Sequence, residues 1–210
     1  MKTFNFIAAV ALILFTTSVM ATPQKTIDAV FDDKIDQISL DVGVGQIHVE
    51  GTDSDKIEIK VVIKTADEKE GFSFGFDRND LDAIELVTKL KRGKMHLELS
   101  DQDDIHQHWI LFVPNTLDVA IEAGVGEVSI TQMSQDINVN VGVGTVEIKH
   151  PSNNFSKLDF KVGVGDMDLK HDSAYAEISS HLIGERFYQR GTAGPELAIN
   201  AGVGEITIAN

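Results

Sequence analysis

The chain has 210 residues, with 33 acidic against 18 basic side chains, a formal net charge of −15 and no cysteine. Such acidity excludes nucleic acid and anionic lipid as electrostatically favoured partners, because their phosphates attract Lys and Arg. The missing cysteines exclude a disulfide framework and a lipoprotein-type acylation site.

The first 21 residues read as a secretory leader. Lys2 supplies a basic start, Phe6 to Phe15 an apolar run, and Val19-Met20-Ala21 the small residues that place cleavage between Ala21 and Thr22. The run is well short of the ~20 residues a membrane-spanning helix needs. Residues 22–210 are therefore expected as one elongated domain without a transmembrane anchor, periplasmic or secreted, and one unit more negative once Lys2 is removed.

Within that domain, residues 22–116 are expected as an irregular N-terminal part. Ile27 to Glu50 enters as strand, and Ile57, Ile59, Val61 and Ile63 alternate as another. Residues 66–80 break the pattern with Asp67-Glu68-Lys69-Glu70 and then Phe72, Phe74 and Phe76 spaced by Gly or Ser. These phenylalanines are expected to fold back as an end cap, with a partner-docking patch as the alternative. Ile84, Leu86 and Leu90, then Met95, Leu97 and Leu99, straddle Gly93 as strand, turn and strand. Trp109 to Val113, closed by Pro114, reads as a buried strand.

Residues 117–210 are expected as regular coils organised by Gly-Val-Gly, which stands at 43–45, 124–126, 142–144, 163–165 and 202–204. Each copy follows period-two apolar residues, such as Val119, Ile121 and Ala123, and precedes more, such as Val128 and Ile130. Period two means strand with one face buried. The apolar step across the second glycine is three residues rather than two, and a one-residue slip would otherwise turn every later side chain outward. A bend or bulge is thus expected at Gly126, Gly144, Gly165 and their equivalents, where glycine tolerates positive φ.

The second glycines at 126, 144, 165 and 204 lie 18, 21 and 39 residues apart, so the period is about 20 with Gly184 filling the long gap. The expected fold is all-β, a parallel β-solenoid, with the N-terminal section partly antiparallel and capping it. Residues 172–196 depart from the frame, with Ser179, His181 and Arg186 at apolar positions. They predict a protruding loop or a locally different strand, where any site would lie.

The run Val113-Pro114, then Leu117-x-Val119-x-Ile121-x-x-Gly124-x-Gly126-x-Val128-x-Ile130, resembles the adhesin-like β-strand-repeat proteins of bacteria. The resemblance covers about residues 27–210 and is densest from 109 to 208. It implies a β-solenoid in an exported protein and offers no catalytic residues to carry over.

Chemistry is sparse. The calcium-binding nonapeptide is excluded, since the positions two after the second glycine hold Ile47, Val128, Val146, Met167 and Ile206. Stacked coils would still align outward acids, Glu127, Glu147, Asp166 and Asp168, into a ladder able to share Ca²⁺; a solvated polar face is the simpler expectation. His106 and His108 share a strand face at a spacing that can chelate Zn²⁺, without a third ligand beyond Asp101, Asp103 and Asp104. In the irregular segment His181, Glu185, Arg186, Tyr188 and Arg190 could line a pocket for an anionic sugar. Neither a P-loop nor a His-Glu-x-x-His sequence is present. The expectation is a non-catalytic structural or binding module of the bacterial envelope, with an envelope protein or polysaccharide as partner and no cofactor; a carbohydrate-active protein using 181–190 is the alternative. The chain ends two residues after Ile208, so its last coil is expected to be covered by the N-terminal section or by a second copy.

Overall fold

The computed structural model describes residues 23–66, 81–152, 154–169, 177–181 (backbone only) and 184–209. The leader and Phe72, Phe74 and Phe76 lie outside these residues.

Among the described residues the alternating segments form 12 strands: β1 (Gln24–Phe31), β2 (Gln37–Thr52), β3 (Ile57–Thr65), β4 (Leu86–Lys91), β5 (Lys94–Leu99), β6 (Ile105–Pro114), β7 (Asp118–Thr131), β8 (Ile137–Lys149), β9 (Lys157–Leu169), β10 (Glu177–His181), β11 (Gly184–Arg190) and β12 (Glu196–Ala209). A 3-10 turn spans Leu81–Ala83. The β4–β5 hairpin turns on Arg92 and Gly93, both at positive φ (53° and 75°), as a tight two-residue connection requires.

All strands join one open mixed sheet in the order β1-β3-β6-β2-β7-β8-β12-β9-β11-β10, with β5 also on β2 and β4 on β5. The pairs β2–β7, β7–β8, β8–β12 and β12–β9 are parallel, whereas β1–β3, β3–β6, β9–β11 and β10–β11 are antiparallel.

This order overturns the solenoid. A single stack lays each coil on the one before it, but here β12 enters between β8 and β9. The cause lies in residues 177–190, which form an antiparallel hairpin rather than a coil. Its strand β11 takes the edge of β9 along 157–162, leaving the other edge for β12. Gly184 accordingly pairs with His181 in that hairpin and is not a corner of the repeat. The expected cap on the last strand is unnecessary as well. β12 is interior, paired on both sides, and Ile206 and Ile208 are buried.

Instead the sheet folds over on itself like a sandwich. In β7, Val119, Ile121 and Ala123 are buried before the corner, and Val128 and Ile130 after it. Five long strands (β2, β7, β8, β12 and β9) thus run through one layer, turn, and continue through the other. The first layer is extended by β5 and β4 at one side and by β11 and β10 at the other. The second is extended by β6, β3 and β1. The core fills the space between, anchored by Trp109, Phe160, Leu97 and Ile121.

The second glycines take positive φ at Gly126 (155°), Gly144 (149°), Gly165 (135°) and Gly204 (148°). The ladder also skips each first glycine, so that Ala123 pairs with Val141 and Val125 with Val143, but Gly124 and Gly142 are not matched. The intervening valine sits at the apex of the turn and points outward. The buried alternation therefore stops before each first glycine and resumes after the second.

Candidate functional site

The outward face of the second layer is a lattice in register. Following the pairing, Gln46 lies beside Glu127, then Thr145, Glu205 and Asp166; the next row runs His48, Ser129, Glu147, Thr207 and Asp168. The acids expected to form a metal ladder are therefore interleaved with neutral side chains. Glu127 and Asp166 are three strands apart, and Thr207 separates Glu147 from Asp168. The adjacent pair is Glu205 with Asp166, which the chain order could not reveal. Among the described residues no three His, Cys, Asp or Glu side chains come close enough to hold a metal ion.

His106 and His108 do share the outer face of β6, with Lys64 and Val62 opposite them on β3 and Gln46 opposite His108 on β2. They line an open hollow of about 380 Å³ that also touches Val44, Val125 and Glu127. Gln46 donates from Nε2 to Glu127 Oε2 at 3.1 Å across this hollow.

Of the residues singled out in the irregular segment, His181 ends β10 and the other four lie on β11, where Arg186, Tyr188 and Arg190 engage one another. Arg186 donates from Nε and Nη2 to Asp159 on β9 at 3.1–3.2 Å. Arg186 and Arg190 both lie over the Tyr188 ring, at 5.6 and 5.7 Å from its centroid, and Arg190 Nε also bonds the Tyr188 hydroxyl. That bond raises the Arg190 pKa. Lys157, next in the row, pairs with Glu196, which raises the lysine's pKa. Glu185 pairs in register with Val162 on β9. For His181 only the backbone is described. The arrangement clamps β11 to β9 across a flat strand face.

Two buried polar groups stand apart from that surface. Trp109 Nε1 donates to Gln107 Oε1 at 2.8 Å, Gln107 Nε2 to Gln102 Oε1 at 2.9 Å, and the Gly43 N–H to the same Gln102 oxygen at 2.5 Å. Gln102 thereby satisfies the corner of β2 in the gap between its pairings with β5 and β6. His150, 1% exposed, accepts the Ser152 N–H at Nδ1 (3.1 Å) and packs on Phe155, but its Nε2 has no partner. Burial holds its pKa below 6.5.

What the sequence reading missed is the line of apex valines. Val125, Val143, Val164 and Val203 keep 44–47% exposure although every neighbouring apolar position in β7, β8 and β12 is buried. One signal was available. The inward positions vary among Val, Ile, Leu, Ala, Phe and Met, whereas the residue between the two glycines is Val in all five copies.

No family model matches the chain, and no curated protein matches it in sequence. Its fold is similar to that of a candidate cell adhesion protein from Clostridium sporogenes, with a TM-score of 0.55 and 15% identity over 89% of this chain and 99% of that one. The fold thus defines the class, an all-β domain of the kind seen in that protein. Fainter similarities extend to a candidate adhesin from Parabacteroides merdae (TM-score 0.31, 14% identity, 60% of this chain and 57% of that one). Another is a candidate lipid-binding protein from Parabacteroides distasonis (TM-score 0.37, 14% identity, 70% of this chain and 57% of that one). Among the described residues no helix is long and apolar enough to cross a membrane.

Proposed function

We propose that this is an exported, non-catalytic binding module of the bacterial envelope, adhesin-like in use, which presents the outer face of its parallel strands to a partner. The observation that carries the proposal is the shared fold over 89% of the chain with a candidate cell adhesion protein. The distribution of titratable groups supports it. Among the described residues, shifted pKa values fall on Glu98, Asp118, His150 and the neighbouring exposed pair Lys157 and Arg190, which do not gather in one cleft. Catalytic sites instead gather such groups in one cleft. The Arg186–Asp159 clamp weighs against the polysaccharide alternative, since its guanidinium is already spent on a carboxylate.

The test is retention. Immobilised protein is challenged with solubilised envelope fractions and, in parallel, with cell-wall and acidic polysaccharides, each followed for binding and for turnover. Saturable retention without turnover is expected. Cleavage of any polysaccharide in the panel, abolished by Arg186→Ala, would overturn the proposal. Melting the protein with Ca²⁺, Zn²⁺ or EDTA completes the set, because a metal at 100 times its Kd adds about 2.7 kcal/mol.

A further inference from the structure

The five Gly-Val-Gly corners meet as one line across the molecule. The register sets Val44 beside Val125, Val125 beside Val143, Val143 beside Val203, and Val203 beside Val164. At the usual spacing between strands this ridge is about 19 Å long. Except at Gly43, the glycines on either side are dictated by close backbone approach. A Cβ at Gly142 would come within 2.5 Å of the Gly124 carbonyl oxygen, and the second glycines are tighter still. The valine is under no such constraint. It faces solvent, where threonine would keep the same β-branched shape without the apolar exposure. Four identical exposed apolar side chains in line, with the half-buried Val44 at their end, therefore call for an explanation outside the fold.

The surroundings say what would cover them. Because the flanking rows are glycine, the ridge stands between two furrows. One is a trough of about 520 Å³ walled by Asp41, Glu122, Asn140 and Asn200. The other begins at the hollow holding Gln46 and Glu127, whose far side carries Lys64, His106 and His108. Along the two polar rows nearest the ridge, Asp41, Glu122, Glu127, Glu205 and Asp166 are acidic, and Lys161 alone is basic.

We propose that the valine ridge docks a cationic amphipathic segment of another protein, with an apolar stripe along the valines and Lys or Arg reaching over the furrows to the carboxylates. This rests on the binding-module proposal and names the partner's chemistry. A second copy of the chain brings the same carboxylates and the same net charge of −15, so charge opposes it. A helix suits the ridge well: about 13 residues span 19 Å, and its 5.4 Å pitch runs close to the ~4.8 Å valine spacing.

The experiment uses a labelled synthetic helix of about 14 residues with a leucine stripe and a lysine face, and a scrambled peptide of equal composition, read by fluorescence anisotropy at low and high salt. The ordered peptide is expected to bind saturably and at least about tenfold more tightly than the scrambled one. Val125→Thr/Val143→Thr/Val203→Thr should weaken it about tenfold or more. Glu122→Gln/Glu127→Gln/Glu205→Gln should weaken it and flatten its salt dependence. The carboxamide variant changes only exposed side chains, so the test stands even if the threonine variant folds poorly. Equal binding of both peptides, no binding, or indifference to both variants would overturn the proposal. The retention assay separates the two levels. If the threonine variant keeps an envelope component as firmly as the wild type, the ridge assignment fails alone. If the wild type retains nothing, the binding-module proposal fails.

Discussion

Three glycine-to-alanine substitutions at the corners should differ sharply in cost, and the structure orders them. At Gly144 a Cβ would lie 1.7 Å from the carbonyl oxygen of Gly126, and the backbone holds φ at +149°. Neither can relax independently, because the clash is with the backbone of a paired strand. Strain at such a φ costs about 1–3 kcal/mol and overpacking a further 1–3, so Gly144→Ala should lose about 2–6 kcal/mol. At Gly142 the φ is ordinary and the Cβ would lie 2.5 Å from the Gly124 oxygen, so only the overpacking term of about 1–3 kcal/mol applies. At Gly43 the nearest atom is Gln102 Oε1, 3.3 Å away on a side chain, and the loss should stay below about 1 kcal/mol. Urea unfolding followed by circular dichroism gives the three midpoints, with the slope checked for constancy. Equal midpoints for the Gly144→Ala and Gly43→Ala variants would refute the corner geometry.

Further outcomes follow from the buried groups. His150 is held neutral in the fold by burial, with its pKa below 6.5, so its share of stability is present above pH 6.5 and is lost as pH falls from there towards the depressed value. His150→Leu should flatten that part of the pH–stability curve while changing stability at pH 8 by about 1 kcal/mol or less, since the unpartnered Nε2 goes with it. Gln107→Leu leaves the Trp109 indole N–H without its acceptor in a fully buried site and should cost about 1–3 kcal/mol, measured as a lower urea midpoint. The Asp118 carboxyl is raised by burial and by Asp136, so its charge opposes folding at neutral pH. Asp118→Asn should raise stability at pH 7 by a few tenths of a kcal/mol and remove the wild type's relative gain as pH falls through the carboxylate range.

Strands were legible because one buried face enforces period two. Ile57 to Ile63 and Trp109 to Val113 fall on β3 and β6, and the Gly93 hairpin is where the turn residues put it. The corner glycines were legible from the three-residue apolar step. Strand order was not, because parallel partners on both sides of a strand present equivalent apolar ladders. What decides between them is the β10–β11 hairpin, whose Ser179, Arg186 and Tyr188 carry no apolar frame to read. That order in turn scatters the acid ladder, since Glu205 and Thr207 come between β8 and β9. The outward valines were hidden for a related reason. A parity slip of one can be absorbed at either glycine, and only the skipped pairing at the first shows that the valine leaves the core.

The ridge and the surface beside it depend on β12 lying between β8 and β9 with the valines outward. The chain has no cysteine, so paired cysteines can be introduced cleanly. Val143→Cys/Val203→Cys joins neighbours in register, within the about 4.4–6.8 Å Cα separation a disulfide accepts. Val143→Cys/Val164→Cys spans two strand spacings, about 9.6 Å, and is out of reach. Mild oxidation should close the first pair rapidly and leave the second as free thiols, counted by mass after alkylation. Closure of the second pair with the first left open would contradict the strand order and restore a sequential stack.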